Sequence, residues 1–122
     1  MIAAVLAAAL SAAAPETVAQ AQGVARPIAV LRGLDKFSGL AETFEAVVGA
    51  PTAYRRLTVT VRACRDTGAD AEAWLEIIDA KAPAAPVFAG WMIASTPALS
   101  ALDHPRYDVW VLSCKTVSGE AS

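Results

Sequence analysis

Leu57-Thr-Val-Thr-Val-Arg-Ala63 alternates along its whole length, with Leu57, Val59, Val61 and Ala63 on one side and Thr58, Thr60 and Arg62 on the other. A period of two is the repeat of an extended chain, whose successive side chains point to opposite faces of a sheet. The stretch reads as a β-strand with one dry face and one wet face, the pattern of an antiparallel sheet.

The rest of the chain can be parsed outward from this strand. Upstream, residues 27–35 read as a strand, Lys36-Phe-Ser-Gly39 supplies turn residues, and residues 42–48 read as the returning strand of a hairpin. Gly49-Ala-Pro51 breaks the pattern, and residues 22–26 read as a flexible join. Downstream, residues 66–72 form a polar loop, residues 74–78 a further strand, and residues 81–86, with two prolines, a stiff extended connection. Residues 87–93 read as a strand carrying Gly90, where a bulge or a close backbone approach is expected. Between Ser95 and Pro105 a helix of one to two turns is expected: Thr96 caps it, Pro97 starts it, and Leu99 and Leu102 anchor it to the core. A last strand covers residues 107–114, and residues 115–122 form a polar tail. About six short strands and one helical turn predict an all-β domain, a small sandwich or barrel.

Composition divides the chain in two. Of the first 21 residues ten are alanine and only Glu16 is charged. This stretch is too short and too interrupted for the roughly 20 consecutive apolar residues of a membrane span, and it ends in the small-residue pattern Ala19-Gln20-Ala21. Residues 1–21 therefore read as a secretory signal peptide, although no Lys or Arg precedes the apolar run. Residues 22–122 read as one exported, periplasmic β-rich domain with no transmembrane segment. Its ten basic and eleven acidic side chains are interspersed, which argues against nucleic acid as a partner, since phosphate binding needs a concentrated basic face.

Cys64 and Cys114 each end a predicted strand, and in an oxidising compartment they are expected to pair. Parity complicates this expectation. Cys64 falls on the Thr/Arg side of its strand, whereas Cys114 shares parity with Trp110 and Leu112. A bulge beside one cysteine would reconcile the two, as would a pair of partly covered faces; the sequence leaves both open.

Few groups suit acid-base chemistry. His104 is the single histidine. It stands beside Asp103 and four residues before Asp108, with Ser95 and Ser100 nearby, but no GxSxG elbow accompanies it. A loop-ordering role, with the imidazole bonded to a carboxylate or carbonyl beside Pro105, is the plainer expectation. Asp66, Asp70 and Glu72 lack the spacing of a calcium loop, so no metal and no cofactor is expected. Trp74, Trp91 and Trp110, with Tyr107, suggest an aromatic platform, though at least two of the three tryptophans are expected in the core. Arg106 and Asp108 flank Tyr107, close enough to pair locally, a contact worth little where it is exposed.

The densest block, residues 90–114, contains Gly90-Trp91-Met92, Pro97-Ala98-Leu99, His104-Pro105 and Tyr107-Asp108-Val109-Trp110-Val111. With Leu31-Arg-Gly-Leu34-Asp35-Lys36 and Thr60-Val-Arg-Ala-Cys64, it resembles a family of small exported bacterial proteins known as domain of unknown function 2155. Members of that family typically carry an aromatic where Ile93 stands and a carboxylate where Ser113 stands. The resemblance implies export and the cysteine pair, and carries no activity. Three functions follow as expectations: an accessory protein binding another envelope or membrane protein, a carbohydrate-binding β-domain, and a small hydrolase centred on His104. The first is favoured, with Trp91, Asp103, His104, Arg106, Tyr107, Asp108 and Trp110 as its candidate surface, because the block is mostly apolar and aromatic.

Overall fold

The computed structural model describes residues 23–117; the expected signal segment and its cleavage site lie outside them. Eight strands form two antiparallel sheets. In the first sheet β5 (Leu57–Asp66) and β6 (Ala71–Asp79) pair centrally, with β7 (Phe88–Ile93) beyond β6. Two short strands, β1 (Val24–Ala25) and β4 (Thr52–Tyr54), pair with the two ends of β5. The second sheet has the order β3 (Leu40–Val47), β2 (Ile28–Asp35), β8 (Tyr107–Lys115). The all-β expectation holds, and the sheets close as a sandwich rather than a barrel. β1 falls inside the expected flexible join and β4 was not foreseen. Strands of two and three residues are too short for alternation to reveal.

Alternation sets the core. Leu57, Val59 and Val61 of β5, Leu75 and Ile77 of β6, Leu31 of β2, and Val109 and Val111 of β8 are all buried between the sheets. Their apolar surface leaving water, at roughly 25 cal/mol per Å², is the main driving force for folding.

The parity conflict between the cysteines is resolved by two bulges, one in each cysteine's strand. In β5 the pairing steps from Val61↔Leu75 to Ala63↔Trp74, leaving Arg62 unpaired. In β8 it steps from Leu31↔Val111 to Val30↔Ser113, leaving Leu112 unpaired. Each extra residue turns outward and shifts the following residues by half a period. Both cysteines therefore rejoin the buried face, and Cys64 bonds Cys114 across the sandwich with their Cα atoms 5.7 Å apart. The bulge expected at Gly90 is absent, because β6 and β7 pair without interruption from Glu72↔Ile93 to Ile77↔Phe88.

The β7–β8 connection also departs from expectation. It holds one 3₁₀ turn, Pro97–Leu99, with no side-chain cap from Thr96. Of its two expected anchors only Leu102 is buried, while Leu99 is 78% exposed. A turn this short cannot present residues three apart to the same core. The polar loop between β5 and β6 is shorter than expected, since Asp66 ends β5 and Ala71 and Glu72 already belong to β6.

Candidate functional site

Three polar residues are buried among the described residues: Asp35, Asp79 and His104. Asp35 ends β2 and Asp79 ends β6, each in phase with core residues of its strand. A carboxylate held at a core position needs a cation and hydrogen bonds to replace its lost hydration. Both have them. Asp35 accepts two bonds from the Arg106 guanidinium, at 3.1 and 3.0 Å, and one from Phe37 N–H at 2.9 Å. Asp79 accepts two from Arg56, at 2.9 and 3.1 Å, and one from Lys81 N–H at 2.9 Å.

His104 joins the two carboxylate clusters. Its Nε2 lies 2.8 Å from Asp79 Oδ2, and its Nδ1 accepts from the backbone N–H groups of Arg106 and Tyr107, at 3.0 and 3.2 Å. Two donors on Nδ1 place the ring proton on Nε2, where Asp79 accepts it. Lys36 Nζ donates to the His104 carbonyl at 2.8 Å and lies 3.5 Å from Asp108. The Arg56 and Arg106 guanidinium groups both approach the Tyr107 ring, at 5.6 and 5.2 Å, and Arg106 also covers the Phe37 ring at 4.9 Å. This ionic clamp ties both sheets and the β7–β8 connection together at one end of the sandwich. The disulfide ties the sheets at the other.

The electrostatics follow from these contacts. Hydrogen bonding from Arg106 outweighs desolvation and holds the Asp35 carboxyl down at about 2. Asp79 is held well below the usual carboxylate range, by Arg56 first and then by His104 and the Lys81 amide. The same pairings push the Arg56 and Arg106 guanidinium groups up.

The candidate residues named from sequence thus separate. His104 and Tyr107 are buried and belong to the clamp, not to a surface. Arg106 pairs with Asp35 and Asp108 with Lys36, so the local Arg106–Asp108 contact is not the one that forms. Neither Asp103 nor Asp108 is the carboxylate of His104; that is Asp79, on another strand. Ser95 bonds Asp70 instead of His104. With both ring nitrogens engaged, His104 has no lone pair left to draw a proton from a nucleophile. Asp103 is exposed on the connection.

The tryptophans separate as well. Trp74 and Trp91 are register partners on the outer face of the first sheet, with the Arg65 guanidinium 4.9 Å over the Trp91 ring. Trp110 stands opposite Arg32 on the outer face of the second sheet. None of the three is fully buried, and Trp91 is 37% exposed. The expectation of two core tryptophans fails because the inward positions of β6, β7 and β8 go to smaller residues: Ala73, Leu75, Met92, Val109 and Val111. A platform of all three is not assembled.

An open cleft of about 350 Å³ lies between the 3₁₀ turn and the start of β8. Its walls are Pro97, Ala98, Ala101 and Leu102 on one side and Asp108, Val109 and Trp110 on the other. The clamp fixes both walls, since His104 and Arg106 stand between them in sequence and are bonded to both sheets. Sequence reasoning missed Asp35, Arg56 and Asp79. The available signal was the parity of the two aspartates: each continues a row of core residues, Leu31-x-Gly33-x-Asp35 and Leu75-x-Ile77-x-Asp79. The three carboxylates of the β5–β6 loop region are engaged separately: Asp66 lies 3.8 Å from Arg26, Asp70 bonds Ser95, and Glu72 lies 3.7 Å from Arg65.

Among the described residues no helix is long and apolar enough to cross a membrane. No curated protein and no solved structure matches the chain. Residues 29–114, which take in the disulfide, the ionic clamp and the cleft, match the family described as an uncharacterized protein conserved in bacteria (DUF2155), and the chain belongs to that family.

Proposed function

We propose that this protein is a non-catalytic accessory component of the bacterial envelope, exported to the periplasm, and that it binds an apolar segment of another envelope protein in the cleft between the 3₁₀ turn and β8. The observation that carries this reading is the combination of an apolar cleft with a wall held rigid by buried hydrogen bonds to His104. A pre-ordered wall loses little conformational freedom on binding, so more of the contact energy remains as affinity. Alanine, proline, leucine, valine and indole surfaces suit small apolar side chains. Asp108, already neutralised by Lys36, offers one acceptor at the rim. The disulfide agrees with an oxidising compartment.

The test is site-directed photo-crosslinking in cells. A photoreactive residue at Ala98 or Ala101 should give one discrete adduct, identified by mass and reproduced with the purified partner. The same residue at Thr43, on the outer face of β3, should not give it. Equal labelling at all three positions, or hydrolysis of an ester, peptide or glycoside that disappears with His104→Ala while the fold persists, would sink the proposal. N-terminal sequencing of periplasmic protein checks the export step, with Gln22 expected as the first residue.

A further inference from the structure

The hydrogen bonds of His104 belong to its neutral ring alone. Nε2–H donates to Asp79 at 2.8 Å, while the Nδ1 lone pair accepts Arg106 N–H at 3.0 Å and Tyr107 N–H at 3.2 Å. The Nδ1 bonds are local: the ring folds back on the residues two and three further along the chain and shapes the turn by which the β7–β8 connection enters β8. An imidazolium carries a proton on both nitrogens and has no lone pair to offer. A proton on Nδ1 therefore points at two N–H donors, one of them on the buried Tyr107. The imidazole is only 3% exposed, so water is not at hand to separate them. Two attractive contacts become repulsive, and the turn loses what shapes it.

The surrounding groups decide what moves. From the end of β6, Asp79 holds Nε2, and Arg56, just before β5, grips both oxygens of the same carboxylate. Arg106, at the entry to β8, is bonded to Asp35 at the end of β2. Lys36, in the β2–β3 turn, donates to the His104 carbonyl and pairs with Asp108 of β8. The Tyr107 ring lies 5.3 Å from the imidazole, with the Tyr54 ring of β4 edge-on beyond it. Three cations thus stand around the ring, and each nearby carboxylate already serves one of them. A further positive charge finds no carboxylate of its own. Asp35 and Asp79 stay ionised in mild acid, held below the usual carboxylate range by Arg106 and by Arg56. The far end of the connection is tied independently, by Ser95 N–H and hydroxyl on Asp70, and the Ser95 bonds hold that carboxyl down too. Between Ser95 and His104 only Leu102 is buried.

We infer that the β7–β8 connection is a proton-operated latch, closed while His104 is neutral and released at its β8 end when Nδ1 takes a proton from solvent. Histidine is the side-chain type that ordinarily changes charge between about pH 5 and about pH 8, and His104 is the single histidine of the chain. The direction follows from the bonds: the closed form needs the neutral ring, so it prevails at neutral pH and gives way as the pH falls. Ser95 and Asp70 remain bonded, so the connection swings from that end and does not detach. The freed stretch includes Pro97, Ala98, Ala101 and Leu102, one wall of the cleft. Loss of a bound segment in mild acid rests on the proposed function; the latch rests on the clamp alone.

The test is nuclear magnetic resonance of the full chain, expressed and purified as the cell processes it, between about pH 7.5 and about pH 5. The ring nitrogen signals should show the Nε2–H tautomer at the upper end and the imidazolium at the lower. In step with that change, exchange protection of the Tyr107 amide, corrected for the intrinsic effect of pH, should fall by about tenfold or more, as expected when a buried donor loses its acceptor. Contacts of the Leu102 methyl groups with the core should weaken, while amides in the middle of β5 and β6 keep their protection. His104→Asn keeps an acceptor near Nδ1 and does not titrate, so its Tyr107 amide should be equally protected at both ends of the range. Should that variant fail to fold, the wild-type ring and amide signals decide alone. A ring that stays neutral down to about pH 5, or one that becomes imidazolium while the Tyr107 amide keeps its protection, would overturn the inference. Failed crosslinking at Ala98 bears on the occupant of the cleft and leaves the latch standing.

Discussion

His104→Ala removes three hydrogen bonds from the clamp at once, and the structure says how the loss divides. The Tyr107 N–H is buried and has no other acceptor, so leaving it unsatisfied costs roughly 1–3 kcal/mol. The Arg106 N–H belongs to a half-buried residue and is free to bond water instead. Asp79 loses the Nε2 donor but keeps Arg56 and the Lys81 amide, a loss of about 1.5–3 kcal/mol for a bond to a charged group. Together these amount to roughly 2.5–6 kcal/mol, a large share of the 5–15 kcal/mol that holds an ordinary domain. At a urea slope of about 2 kcal/mol per M, the midpoint should fall by roughly 2 M. His104→Asn keeps an acceptor near the Nδ1 position and gives up only the Asp79 link, so it should lose about half as much. Urea unfolding gives the totals, and amide exchange at Tyr107 reports the local opening. If Ala and Asn substitutions lose the same stability, or if the Tyr107 amide stays as protected as in the wild type, the assignment of the ring as an acceptor for the connection is wrong.

Gly33→Ala should destabilise by roughly 1–3 kcal/mol through overpacking, because a Cβ there would lie 2.4 Å from Tyr54 Cζ. The ring cannot retreat, stacked on Phe44 at 5.0 Å and edge-on to Tyr107 at 5.7 Å, and thermal melts of Gly33→Ala with and without Tyr54→Leu should show relief in the double variant. Replacing both Cys64 and Cys114 with Ala should cost about 4 kcal/mol for a loop of this size, and alkylation without reductant should find no free thiol in the native protein. Acid titration should expose the clamp: the depressed Asp35 carboxyl contributes stability that is complete above its ordinary value of 3.8 and is lost as the pH falls through about 2. Unfolding midpoints measured between about pH 5 and about pH 2 should fall less steeply in Asp35→Asn than in the wild type.

The six longer strands and the hairpin turn were legible in the sequence because each is written locally, whereas the cysteine pair, 50 residues apart, was legible only because the chain holds two cysteines. Alternation at Leu57–Ala63 needs only neighbours two apart to declare an extended, half-buried chain. Lys36-Phe-Ser-Gly39 declares a turn through its own residues, and Gly39 does take the left-handed conformation, at φ 80°. The dense block from Gly90 to Cys114 carried the family assignment for the same reason, being contiguous.

What only the tertiary structure decided involves residues far apart in the chain. Proximity picked Asp103 or Asp108 for His104, yet its carboxylate is Asp79, 25 residues away. Arg106 adjoins Asp108 in sequence but spans 71 residues to Asp35. The parity of the cysteines allows a bulge beside one of them, but only the paired strands place one at Arg62 and another at Leu112, since neither residue differs in type from one that stays in register. Burial of the tryptophans depended on which sheet face each strand turned inward. Local patterning sets the conformation of a segment. Which distant charges share a desolvated space is set by how the two sheets pack, and there a buried carboxylate takes whichever cation and donors the packing brings to it.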